Sequence, residues 1–174
     1  MRIGLLGGSF NPPHLGHLHI SLEAKKRLKL DQIWWLPTKQ NPFKKEQNNN
    51  FDQRLLLCKN LTHKISGILI KDYENNLKSN YSIDLIKRII RKYPKHKFFW
   101  VMGADSVINF HLWQRWKQIL TFLSLIVVDR DDYFYLSTKS KGISYCRKLN
   151  NQKCFFLKIK KVNISSTKIR KNNV

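Results

Sequence analysis

The sequence predicts a single α/β domain spanning residues 1–174, with a doubly wound, mostly parallel sheet of about five or six strands and helices on both faces. Six short apolar runs rich in Ile, Val, Phe and Trp recur along the chain, as is typical of buried strands. Stretches with helical periodicity lie between them, and this alternation favours right-handed crossovers. The apolar runs are residues 2–7, 32–37, 67–72, 97–103, 123–129 and 154–160.

Four helices are predicted between these strands. The first covers residues 16–28, and the second begins near Asn50 with apolar side chains at helical spacing. The third begins with Ser82 as its N-cap and ends before Pro94, because the residue that precedes a proline avoids helical geometry. The fourth covers residues 112–122.

Composition narrows the class of protein. Hydrophobic residues make up 42% of the chain, which is ordinary for a folded protein, and no apolar run approaches the roughly 18 residues of a membrane span. The three cysteines, Cys58, Cys146 and Cys154, form no CxxC pair and are too few for a disulfide framework. We therefore expect reduced thiols and a cytoplasmic location.

The formal net charge of +22 indicates attraction to anions. The basic residues fall into many short groups rather than one tract, which favours solvated faces over a dedicated nucleic-acid stripe. The positive potential would still attract a substrate that carries several phosphates. We expect small phosphate-bearing partners, neither nucleic acid nor membrane, and a chain compatible with a homo-oligomer.

The segment GGSFNPPHLGH, residues 7–17, follows the first strand directly. Gly7 and Gly8 are expected to let the backbone turn sharply and approach a ligand. Ligands of such sheets bind at the carboxyl ends of the strands, where the N–H groups of a helix start attract anions. His14 and His17 are three residues apart and share a face of this helix start. Their imidazoles can donate hydrogen bonds to a polyphosphate and stabilise charge on leaving pyrophosphate.

Other chemistries have less support in this segment. No further Cys or His stands at a spacing that suits zinc, so no metal site built from protein side chains is expected. The glycines match neither the GxGxxG pattern of dinucleotide binding nor the GxxxxGK[ST] pattern of a P-loop.

Two segments of the chain, one near each end, carry a family resemblance. HLGH at residues 14–17 resembles the [TH]xGH signature of the nucleotidyltransferase superfamily, and ISSTKIR at residues 164–170 resembles its second signature, ISSTxxR. The middle of the chain resembles the bacterial nicotinate-nucleotide adenylyltransferases through WWLPTKQNPFK, NYSIDLI and FFWVMGADSVINFHLWQRW, and more weakly through VVDRDDY. The likeness runs from residue 2 to residue 170 and implies a Rossmann-like domain.

This resemblance implies transfer of AMP from ATP to nicotinate mononucleotide, giving nicotinate adenine dinucleotide and pyrophosphate in NAD biosynthesis. It implies that His14, His17 and Lys44 are catalytic and that Mg²⁺ is carried on the ATP phosphates. The implied ATP-binding residues are Gly7, Gly8, Ser9, Phe10, His14, His17, Gly103, Asp105, Arg130, Ser165, Ser166, Thr167 and Arg170. The implied nicotinate mononucleotide-binding residues are Ser9, Lys44, Tyr81, Ser82, Asp105 and Trp113, with Trp113 stacking on the pyridine ring.

Three positions depart from the family pattern. Ser9 stands where threonine is commoner, and Asn11 where aspartate is frequent, which removes a negative charge near the phosphates. Many relatives have a further helix after the second signature, whereas four residues follow Arg170 here. We expect either a more open nucleotide pocket or a partner subunit in that place.

Two alternatives stay open at this point. One is the same chemistry on another acceptor, nicotinamide mononucleotide or phosphopantetheine. The other is a basic RNA-binding module, which predicts salt-sensitive RNA binding that survives loss of both His14 and His17.

Overall fold

The computed structural model of the chain describes residues 1–39, 50–73, 79–129, 133–149 and 154–160, together with residues 166 and 169. Its six strands are all parallel and form one sheet in the order β3-β2-β1-β4-β5-β6. The strands are β1 Arg2–Gly8, β2 Gln32–Pro37, β3 Ile68–Ile70, β4 Lys97–Gly103, β5 Ser124–Asp129 and β6 Cys154–Lys158. The helices are α1 Leu15–Arg27, α2 Phe51–Thr62, α3 Ser82–Lys92, α4 Ala104–Ile108, α5 Trp116–Phe122, α6 Phe134–Thr138 and α7 Lys141–Lys148. The predicted doubly wound, Rossmann-like α/β architecture is confirmed.

Alternate side chains of the central strands build two hydrophobic cores, one on each face of the sheet. On β1, Leu5 belongs to the core that α3, α5 and α7 cover, whereas Leu6 belongs to the core under α1 and α2. Trp34 and Trp35 divide in the same way on β2. This alternation follows from the two-residue period of a strand and explains why consecutive residues at the centre of the runs are apolar.

The predicted fourth helix, residues 112–122, is corrected by the structure. A single 3-10 turn, Phe110–Leu112, follows α4, and α5 begins only at Trp116. The interruption lies at Arg115, whose φ of 51° places it in the left-handed region, where no α-helix continues. Helices α6 and α7 were not predicted. No helix in the described parts of the chain is long and apolar enough to cross a membrane.

The start of α3 also differs from expectation by one residue. Tyr81 is the N-cap, and Ser82 is the first helical residue. Ser79 supplies the local hydrogen bonds instead: its Oγ accepts from the Tyr81 N–H and donates to Asp84 Oδ2 at 2.6 Å. The helix ends at Lys92, before Pro94, as predicted.

The expectation of three reduced cysteines is wrong in this structure. Cys146 of α7 and Cys154 of β6 form a disulfide, with their Cα atoms 6.5 Å apart. The fold brings them together because α7 packs against β6 at the edge of the sheet. Cys58 is buried as a free thiol, and burial raises its pKa from 9.0 to about 12.

Candidate active site

The strand order changes direction between β1 and β4, which are hydrogen-bonded neighbours in the middle of the sheet. In sheets of this type, ligands bind in the crevice outside the carboxyl ends of the strands at this point. Gly8 and Gly103 are the last residues of β1 and β4. These two glycines and the segments that follow them therefore flank the crevice, and together they carry most of the predicted site residues that the structure describes.

His14 and His17 are held by the start of α1 itself. His14 is the N-cap, and its Nδ1 accepts the N–H of Gly16 at 3.1 Å. His17 Nδ1 accepts the backbone N–H of His14 at 3.2 Å. A ring nitrogen that accepts a hydrogen bond carries no proton, so in a neutral imidazole the proton lies on Nε2. Both rings are thus neutral tautomers that can donate through Nε2.

The two imidazoles form one unit with the aromatic core beneath them. Their ring centroids lie 3.9 Å apart, and the His17 ring also lies 4.7 Å from that of Phe10. Phe10 stacks on Trp35 at 4.8 Å with its side chain only 2% exposed. The buried Phe10 side chain therefore supports the His17 ring from the core.

The sharp turn after β1 falls at a different residue from the one predicted. Neither Gly7 nor Gly8 has a positive φ; the left-handed residue of this loop is Phe10, with φ 45°. Gly7 is needed for another reason, because a Cβ there would lie 2.8 Å from the Trp100 indole. At Gly8 an added Cβ would meet only the Phe10 ring, at an ordinary 3.4 Å.

The second signature contacts the first. Ser166 Oγ donates to the Pro12 carbonyl at 2.9 Å, across 154 positions of sequence. Nearby, His19 Nε2 donates to the Lys160 carbonyl at 3.1 Å, so this third histidine faces the segment after β6. The structure thereby brings Ser166 to the loop that carries His14 and His17. Five predicted site residues lie outside the described residues: Lys44, Arg130, Ser165, Thr167 and Arg170.

Gly103, Asp105 and Trp113 follow β4. The exposed Asp105 folds back over Gly103, where a Cβ would collide with its carboxylate. Trp113 is half-buried, with its ring 6.0 Å from that of Trp100 and nearly perpendicular to it. Trp100 also packs against Gly7, so Gly7 of the first motif and Trp113 both pack against the Trp100 indole.

Tyr81 and Ser82 mark the start of α3. Tyr81 is 44% exposed and makes no side-chain capping bond. The described residues contain no cluster of three or more His, Cys, Asp or Glu side chains that could hold a metal ion.

Arg54 of α2 was missed by sequence reasoning. Its side chain is 1% exposed, and its guanidinium donates to the carbonyls of Ser9, Thr38 at 2.8 Å and Lys39 at 3.0 Å. Thr38 is tied to the same loop, because its N–H donates to the Gly8 carbonyl at 2.9 Å. A lone arginine on a helix with many polar residues gives no local signal of such a role.

Comparison with known proteins agrees with this geometry. Residues 5–172 match the family model described as cytidylyltransferase-like. A protein from Pelagibacter ubique named "Probable nicotinate-nucleotide adenylyltransferase" is 44% identical over 98% of this chain and 92% of its own length. A protein from Methylorubrum extorquens with the same name is 42% identical over 76% of this chain and 72% of its own.

A solved structure has the same fold. Plasmodium falciparum nicotinic acid mononucleotide adenylyltransferase complexed with NaAD superposes with a TM-score of 0.78 at 22% identity, covering 98% of this chain and 82% of that one. With two signatures joined by Ser166 and Pro12, a family model across nearly the whole chain and relatives above 40% identity, the chain belongs to the cytidylyltransferase-like family and, within it, to the nicotinate-nucleotide adenylyltransferases.

Proposed function

We propose that the chain transfers the adenylyl group of ATP to nicotinate mononucleotide, forming nicotinate adenine dinucleotide and pyrophosphate. The observation that carries this proposal is the pair of imidazoles at the start of α1, each with Nδ1 occupied by a backbone N–H. This arrangement places two neutral imidazoles, each with its proton on Nε2, at the N-terminus of a helix, where anions bind. The names of the relatives agree with it.

The reaction requires positioning and charge stabilisation rather than a protein base. A phosphate oxygen of nicotinate mononucleotide, already anionic, attacks the α-phosphorus of ATP and forms the new P–O bond. The bond from the α-phosphorus to the oxygen that bridges to the β-phosphorus breaks, and pyrophosphate leaves with the electron pair. His14 and His17 would donate hydrogen bonds to the oxygens on which charge develops.

The remaining triphosphate contacts come from both signatures. The backbone of residues 7–10 and the N–H groups at the start of α1 would face the phosphates. Ser166, which donates to the Pro12 carbonyl, would contact the triphosphate together with the other residues of the second signature, Ser165, Thr167 and Arg170. Arg130 and Lys44 would supply further positive charge. ATP enters as its Mg²⁺ complex, so the metal belongs to the substrate and reduces charge on the phosphates.

The acceptor would bind beside β4 and α3. Trp113 would stack on the pyridine ring, and Ser9 and Lys44 would hold the phosphate of nicotinate mononucleotide. Asp105, over Gly103, would accept from a ribose hydroxyl of either nucleotide. The N–H groups at Tyr81 and Ser82, at the start of α3, would favour the carboxylate of nicotinate over an amide. We place the reaction in the cytoplasm, where the positive surface of the chain would attract both substrates.

The test is pyrophosphate release from ATP and Mg²⁺ in three parallel reactions, with nicotinate mononucleotide, nicotinamide mononucleotide or phosphopantetheine as the acceptor. We expect release with the nicotinate compound. The variant His17→Ala should lose it, whereas His63→Ala, on the exposed end of α2, should keep it. Release with another acceptor would support the proposed adenylyl transfer but overturn nicotinate mononucleotide as its acceptor. If a folded protein released no pyrophosphate with any of the three acceptors, the proposal would be overturned.

A further inference from the structure

Arg54 connects two segments that flank the proposed site but belong to different strands. One is the loop after β1, through the Ser9 carbonyl; the other is the end of β2, through the carbonyls of Thr38 and Lys39. The first segment leads into His14 and His17. The second leads into residues 40–49, which include Lys44.

The chemistry of arginine suits this connection. A guanidinium carries five N–H donors in a rigid plane, so that one side chain can serve three carbonyls that face different directions. Two of the three bonds share Nη1, and the third uses Nη2. Lysine offers a point charge on a flexible stem and cannot reproduce this fork.

The surroundings of Arg54 fix the guanidinium in place. Its side chain is 1% exposed, and its guanidinium carbon lies 5.5 Å from the centre of the Phe51 ring. Cys58 lies one turn further along α2 and is fully buried. Asn50 caps the start of α2, and this helix packs against β2 and β3, so the guanidinium reaches both segments from a helix that is itself held on the sheet.

We propose that Arg54 is a positioning residue of the adenylyl transfer, which sets the spacing between the His14–His17 unit and the end of β2. This inference rests on the proposed function. Arg54 acts through the backbone of Ser9, Thr38 and Lys39 and does not contact the reacting atoms. In-line attack requires the acceptor phosphate and the α-phosphate of ATP to be aligned within fractions of an ångström. A shift of the loop after β1 against the end of β2 therefore lowers kcat more than it weakens substrate binding.

The experiment compares Arg54→Lys and Arg54→Ala with Thr62→Val as the matched control. Thr62 lies on the same helix and is buried, and Thr62→Val removes a hydrogen bond to the Cys58 carbonyl far from the loop. Pyrophosphate release gives kcat and KM for each substrate, and circular dichroism gives Tm and the folded fraction. We expect kcat per folded molecule to fall by about a hundredfold in Arg54→Ala and by about tenfold in Arg54→Lys, with smaller changes in both KM values.

Added methylguanidinium provides a readout that a merely structural role would not move. It should restore kcat per folded molecule of Arg54→Ala in a saturable way and should leave kcat of Thr62→Val unaffected. Unchanged kcat per folded molecule in the arginine variants, or equal loss in Thr62→Val, would overturn the proposal. If Arg54→Ala does not fold, Arg54→Lys decides alone, since unchanged kinetics in that variant would overturn it.

Amide hydrogen exchange separates this inference from the proposed function. We expect faster exchange in residues 7–10 and 36–39 of Arg54→Lys, and no change there in Thr62→Val. That result does not depend on turnover, so an inactive wild type would reject only the proposed reaction. Unchanged exchange in both segments would reject the role of Arg54 while leaving the reaction intact.

Discussion

The rings of His14 and His17 lie 3.9 Å apart between centroids, and both use Nδ1 to accept a backbone N–H at the start of α1. Each histidine therefore performs two tasks, one with each of its ring nitrogens. Nδ1 satisfies N–H groups that an α-helix leaves without partners at its start. Nε2 carries the proton that the proposed chemistry uses.

The variant His14→Asn should separate these tasks. An asparagine side chain is among the best N-caps and can still accept the Gly16 N–H, but it has no donor at the position of Nε2. We expect the free energy of unfolding to change by less than about 0.5 kcal/mol while kcat falls by about a hundredfold. Urea unfolding and pyrophosphate release measure the two effects.

His14→Ala is the matched comparison, because it removes the cap and the donor together. It should lose about 1 kcal/mol of stability as well as activity. If His14→Asn kept full activity, the Nε2 of His14 would have no role in the reaction.

Gly7 and Gly8 should respond differently to alanine. In Gly7→Ala the new Cβ would lie 2.8 Å from the Trp100 indole, and the rigid ring cannot move without disturbing the core, so we expect a loss of about 1–3 kcal/mol. In Gly8→Ala the nearest atom lies at 3.4 Å, and the stability should change by less than about 1 kcal/mol. Urea unfolding of the two variants side by side checks this. Equal losses would show that the Trp100 contact does not decide the choice of glycine.

Sequence reasoning located the sheet, the first helix and the two signatures because each is encoded locally. Buried strands such as β5 have an unbroken run of apolar residues at their centre, Leu125–Val128, and the histidines of HLGH stand three residues apart on a helix start. What the sequence did not reveal depends on contacts between distant residues. The reason for Gly7 is Trp100, 93 positions away, and Arg54 is recognisable only from the carbonyls that surround it.

Two corrections have the same origin. The helix predicted over residues 112–122 is broken at Arg115, where the apolar residues keep a helical spacing but the backbone turns left-handed. Cys146 and Cys154 have no recognisable spacing as a pair, and they meet only because β6 and α7 occupy the same edge of the sheet.

Trp113 should affect the acceptor more than ATP. The variant Trp113→Leu removes the ring proposed to stack on the pyridine, and we expect KM for nicotinate mononucleotide to rise about tenfold with KM for ATP nearly unchanged. Trp116→Leu is the control, since Trp113 and Trp116 both pack against the Phe110 ring, with ring centroids 5.4 and 6.0 Å from it. Steady-state kinetics with each substrate varied in turn would measure both constants. An equal rise in KM in both variants would assign Trp113 to the core alone.

Cys58 should make the stability depend on pH in the alkaline range. Burial raises the pKa of its thiol from 9.0 to about 12, with the charge of Arg54 opposing the shift in part. Between these values the folded protein keeps the proton that the unfolded chain releases, so folding becomes less favourable as the pH rises. The full difference is about 4 kcal/mol, complete near pH 12 and absent below pH 9. Urea unfolding from pH 8.5 to 11 should therefore show a steeper decline for the wild type than for Cys58→Ala. Parallel declines would mean that the folded protein releases this proton as readily as the unfolded chain.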